Sequence, residues 1–185
     1  MAKPPESEPL EFTALVRRPQ HLQAIGMLTV EITHMERATS GLFGTIMGIH
    51  FFLAEAIYFT VNSGIARMDI VRNAAQMVLI ALPDELKAVT KLIERAKAVM
   101  GKRHAIIHHF WMLDIDSEDI RSEKLGEFRN KRISVVSLAE LNQQIRSCRT
   151  LINDIEIYCS AFEKGHPRDI GSLGDYWSPK PKRKT

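Results

Sequence analysis

The chain has 185 residues, 45% hydrophobic, 7% aromatic and 25% charged, and its 25 Lys+Arg against 22 Asp+Glu give a formal net charge of +3. This composition excludes wholesale disorder and collagen-like repetition, and the length suits one domain. A charge of +3 does not by itself point to nucleic acid, because strongly basic binders carry more and concentrate it in stripes.

The first twelve residues, MAKPPESEPLEF, hold three prolines and three glutamates without an apolar run, which is not the pattern of a secretory signal. Residues 1–17 are expected to be a loose N-terminal segment, 18–166 a single helical domain, and 167–185 a loose, basic C-terminal tail ending in PKPKRKT. None of the eight prolines falls within 20–82 or 84–166, the two stretches with helical periodicity.

From 20 to about 42, Leu22, Ile25, Leu28, Ile32, Met35 and Leu42 mark one helical face, and Gly41, Gly44 and Gly48 are expected to break it. Residues 49–61 suggest a short helix stopped by Asn62-Ser63-Gly64. A third helix over 65–82 carries Met68, Val71, Ala75, Val78 and Leu82. Pro83 with Asp84 and Glu85 reads as the start of a fourth. Its seam runs Leu86, Val89, Ile93, Ala96, Met100, Arg103, Ile107 and Phe110.

Residues of about 111–136 lose that period and are expected to form an irregular arm or hairpin. Gly126 lies near its turn, and Ile133, Val135 and Val136 lie in a strand. A final helix over about 137–164 has its seam at Leu138, Leu141, Ile145, Cys148, Ile152, Ile155, Cys159 and Phe162. Ser137 and Glu140 form a capping box, and Gly165-His166-Pro167 a stop. The predicted fold is all-α, a four- to five-helix bundle with a short insert before the last long helix.

Cys148 and Cys159 lie eleven residues apart on that last helix. At about 1.5 Å per residue they stand about 16 Å apart, beyond the roughly 7 Å a disulfide allows. No disulfide scaffold is expected, and a reducing cytoplasm is the natural setting. Residues 42–61 form the most membrane-like run, with only His50 and Glu55 ionisable. Glu55 would sit near mid-span, and a buried core segment is the better reading.

One position breaks the pattern. Arg103 stands on the fourth helix where the period calls for Leu or Ile, inside KRHAIIHHFW at 102–111. A desolvated guanidinium needs a compensating charge or hydrogen bonds. Either it reaches solvent at the bundle edge, or it serves an anion site with the imidazoles of His104, His108 and His109.

The run Arg103-His104-Ala105-Ile106-Ile107-His108 is an R-x4-H motif, and with Trp111, the arm and the long final helix it resembles the HEPN superfamily of α-helical bundles. The resemblance implies a metal-independent endoribonuclease, a toxin or defence effector, that works as a homodimer without a cofactor. It makes Arg103, His108 and His104 the catalytic set, with Lys102 and His109 against the substrate. His108 would act on the ribose 2′-hydroxyl as general base or protonate the leaving oxygen. Arg103 would hold the scissile phosphate, and His104 would polarise the site. RNA is the substrate implied, and an antitoxin or other protein the partner. The alternative is an inactive HEPN-like binding or scaffold protein.

Glu31-x-x-His34 and Glu163-x-x-His166 have the spacing of di-iron carboxylate bundles, but the further glutamates such sites require do not emerge. His104, His108 and His109 lack a fourth zinc ligand. No metal is expected, and no nucleotide-binding glycine loop or nucleophile elbow is present.

Overall fold

The computed structural model describes residues 14–107, 109–113, 120–124 and 134–166. After a 3₁₀ turn at Ala14–Arg17 come α1 (Pro19–Met47), α2 (Phe51–Phe59), α3 (Gly64–Val78) and α4 (Pro83–Ile107). The strands β1 (His109–Leu113), β2 (Ile120–Lys124) and β3 (Ser134–Val136) lead into α5 (Leu138–Gly165). The chain is thus an all-α bundle with a small antiparallel sheet, ordered β1-β2-β3, where the hairpin was expected. In its register His109 faces Lys124 and Ile120 faces Val136. Gly126 and Ile133 lie outside the described residues.

Cross-helix contacts fix the directions. Glu31 reaches Arg149, and Thr45 reaches Glu163, each pair 118 residues apart, so α1 and α5 run parallel and in register. Asp69 pairs with Lys97, while Gly64 lies against Met100, so α3 and α4 are antiparallel. Arg95 meets Asp154, and Lys102 faces Arg146 across a cleft, so α4 also runs against α5.

The core forms where the apolar faces converge. Leu28, Ile32, Met35 and Leu42 of α1 pack with Met68, Val71, Val89, Ile93, Leu141, Leu151 and Ile155. Among the described residues, five helix pairs are each bridged by an ion pair: Glu31–Arg149, Glu36–Arg67, Arg37–Glu55, Asp69–Lys97 and Arg95–Asp154. The Glu36–Arg67 pair, at 2.7 Å, is the most enclosed. Arg67 also donates from Nε to the Val61 carbonyl at 2.6 Å and lies over the Phe59 ring, tying the end of α2 to α3.

Several expectations need correction. Gly41 and Gly44 do not break the first helix, which continues to Met47 and stops only at Gly48, held left-handed at φ 64°. Gly44 instead permits close packing, because a Cβ there would stand 3.0 Å from Ala54 Cβ. Leu22 and Val78 are exposed rather than in the core, and α3 ends at Val78, short of 82. The fourth helix ends at Ile107, so Phe110 belongs to β1 and pairs with Glu123 instead of extending the helical seam. The insert therefore starts at His109, where β-favouring residues gain a sheet partner.

No single helix among the described residues is long and apolar enough to cross a membrane. The α1–α2 pair would be, but it is bent by 118°, and Leu42, Phe43, Ile46, Ala54 and Tyr58 of that stretch are buried in the protein.

The two helical glycines are expected to respond with opposite signs. Gly44→Ala should lower unfolding stability by about 1–2 kcal/mol through overpacking. At position 41 the added Cβ meets only Phe51 at 3.9 Å, so Gly41→Ala should raise it by about 0.5–1 kcal/mol. Urea unfolding of both variants checks this, and a shift of the same sign for the two contradicts the assignment.

Candidate functional site

The sequence-predicted site lies at the far end of α4. Among the described side chains of this helix, Val89, Leu92, Ile93, Ala96, Met100 and Ile106 are buried. At about 100° per residue, the backbone of Arg103 stands about 60° from Met100 and about 60° from Ile106, midway between two buried positions. Lys102, the preceding residue, is exposed. His104 belongs to the same final stretch of α4, and His109 opens β1 opposite Lys124. His108 lies outside the described residues.

Lys102 borders a cleft of about 570 Å³ between α4 and α5, which sequence reasoning missed. Its α4 wall carries Arg95, Val99 and Lys102, and its α5 wall carries Gln143, Arg146 and Ser147. Arg146 donates from Nη2 to Gln143 Oε1 at 2.9 Å and from Nε at 3.3 Å, so a neutral amide holds the guanidinium in place. Arg95 donates to Asp154 at 2.7 Å. The stripe Gln143, Arg146, Ser147 and Thr150 is visible in the sequence as polar residues at helical spacing, but only the antiparallel packing shows that it faces Lys102.

A second, larger groove of about 1060 Å³ runs along the α1–α5 seam to the start of α2. Both E-x-x-H pairs line it, but at opposite ends. Glu31 sits level with Arg149, and Glu163 level with Thr45, which puts the two glutamates fourteen residues out of register. That is about 21 Å along the helices, too far for one metal centre. Glu31 is instead engaged by Arg149, whose Nε donates to Oε1 at 2.8 Å while Nη2 stands 2.7 Å from the same oxygen. Among the described residues, no group of three or more His, Cys, Asp or Glu is placed to hold a metal ion. His50 serves α2 as its N-cap, accepting from the Phe52 amide at 3.3 Å, and His166 stacks on Phe162.

Both cysteines are free, Cys148 buried and Cys159 half-buried. Burial, reinforced by the nearby Glu31 carboxylate, pushes the Cys148 thiol up to about 11. Burial also raises Cys159, although a hydrogen bond with Thr45 works against it.

No family model matches the sequence, and neither a curated protein nor a solved structure matches the chain.

Raised thiol pKa values keep the reactive thiolate scarce. At pH 8, iodoacetamide should label neither cysteine at the rate of a free thiol until urea unfolds the chain. Rapid labelling of Cys148 in the folded protein contradicts this account.

Proposed function

We propose that the chain is an HEPN-like, metal-independent endoribonuclease, cytoplasmic, and acting as a toxin or defence effector. The observation that carries the reading is the position of R-x4-H. Arg103 falls between two buried positions at the end of the penultimate long helix of an all-α bundle, beside the exposed Lys102. A guanidinium that starts from a core-facing backbone position is costly unless an anion or a hydrogen-bond network answers it, and a scissile phosphate is such an anion.

The proposed reaction uses the neighbouring ribose. The 2′-oxygen attacks the adjacent phosphorus, forming a P–O2′ bond as the P–O5′ bond breaks. The 2′ proton passes to a base, and the departing 5′-oxygen takes up a proton. His108 would supply one of these transfers, since imidazole can both accept and donate near neutral pH. Arg103 would bind the phosphate oxygens and offset the growing charge, His104 would polarise them, and Lys102 and His109 would hold the flanking backbone.

The partner proposed is a second copy of the chain. The outer face of α2 supports it, because Phe52, Leu53, Ile57 and Phe59 are exposed there with no charge among them. Two such faces meet without like-charge conflict. Light scattering is expected to give a dimer, and a monomeric wild type at high concentration contradicts this part.

The test of activity is cleavage of a mixed-sequence labelled RNA in EDTA by wild type, His108→Ala and Arg103→Met, each checked for folding. Wild type should cut, and both variants should lose at least about 100-fold, the usual scale for an acid–base group. Arg103→Met should hold or raise the melting temperature, because it removes a costly charge. A fall of a kcal/mol or more would instead mean that Arg103 serves a structural partner. Wild type that cuts none of several RNAs would favour the alternative, an inactive binding module built around the larger α1–α5 groove.

A further inference from the structure

We infer that the cleft between α4 and α5 is the binding path for the sugar-phosphate backbone of single-stranded RNA, leading it to the end of α4. The inference deepens the ribonuclease reading and rests on it for the choice of RNA among polyanions. The cleft itself is argued from its chemistry.

Among the described residues its lining supplies three cations, Arg95, Lys102 and Arg146, and the other polar residues are amides and hydroxyls, with no carboxylate among them. Asp154, outside the lining, pairs with Arg95. Lys102 and Arg146 make no ion pair to a described residue. Arg146 is oriented by the Gln143 amide oxygen, which fixes the guanidinium without neutralising it. A preset, uncompensated fork of this kind suits a phosphate.

The α1–α5 groove makes the contrast. It is larger, but Glu31, Glu156 and Glu163 line it beside Arg37 and Arg149, so its charges offset one another and leave no net attraction for a polyanion. The modest net charge of +3 therefore hides a local difference: one cleft is cationic, the other mixes both signs.

The cleft also has the right course. Arg95 and Lys102 are seven residues apart on α4, about 10 Å along its axis, and the next residue is Arg103. A volume of about 570 Å³ holds a short stretch of backbone. Among the described residues no aromatic side chain lines it, so none of them offers bases a surface to stack on. Binding should then depend strongly on salt and little on base identity.

The experiment is fluorescence anisotropy with a labelled 2′-O-methyl RNA oligonucleotide, which lacks the attacking hydroxyl and stays intact. The protein is compared with the double variant Lys102→Glu/Arg146→Glu, the milder Lys102→Gln/Arg146→Gln, and Lys87→Glu at an exposed position in the first half of α4. The Glu pair should weaken binding at least tenfold. The Gln pair should weaken it less and lower the slope of log K against log salt by about 1.4, at about 0.7 per lost phosphate contact. Lys87→Glu should leave binding within twofold. Unchanged affinity in folded Gln and Glu pairs overturns the cleft even if RNA is cleaved. Cleft-dependent binding by a wild type that cuts no RNA upholds the cleft and fails the ribonuclease reading instead.

Discussion

Parallel packing of α1 against α5 is the constraint on which the rest of the structure depends. Two helices can lie parallel and in register only if the chain returns between them, and α2, α3, α4 and the sheet make that return. The ion pair of Glu31 with Arg149 and the contact of Thr45 with Glu163 set the register at two levels, four turns apart. With α1 and α5 both ascending, α4 must descend beside α5. The end of α4 then arrives level with the first turns of α5, bringing Lys102 opposite Arg146. The register of one helix pair thus decides which polar residues of another pair face each other.

The ion pairs between helices act more as guides than as sources of stability. Four of the five involve at least one side chain that is largely exposed, where the net gain is small. Glu36–Arg67 differs, with side chains only 12% and 16% exposed, and loss of either partner would strand the other. This pair holds the return from α2 into α3, so it stabilises the turn of the chain that makes the parallel register attainable. Stability itself comes from the apolar faces that meet between the helices.

Much of this was legible in the sequence. The 3-4 seams of the last two long helices correctly named Val89, Ile93, Ala96, Met100, Leu141, Ile145, Cys148 and Ile155 as core, because each of those helices buries one continuous face. The Ser137–Glu140 capping box forms with both of its reciprocal bonds. What failed was punctuation. Glycine reads as a break when seen locally, yet Gly44 sits inside α1 because Ala54 crosses against it, a contact made by the turn into α2. Conversely, helical spacing continues through Phe110, but the backbone there pairs with β2, a long-range gain that no window of sequence contains. The candidate site divides in the same way. Arg103 was marked by the apolar pattern it interrupts, whereas the facing stripe on α5 acquires meaning only through antiparallel packing.

These elements join in one proposal, that the end of α4 cuts RNA by way of the ribose 2′-hydroxyl, with the backbone led there along the α4–α5 cleft. The most direct test is analysis of the ends left on RNA fragments after incubation in EDTA. The account predicts 2′,3′-cyclic phosphate and 5′-hydroxyl ends, and no cutting at a site whose upstream ribose is 2′-deoxy. Fragments with 5′-phosphate and 3′-hydroxyl ends, or continued cutting at the deoxy site, would contradict it.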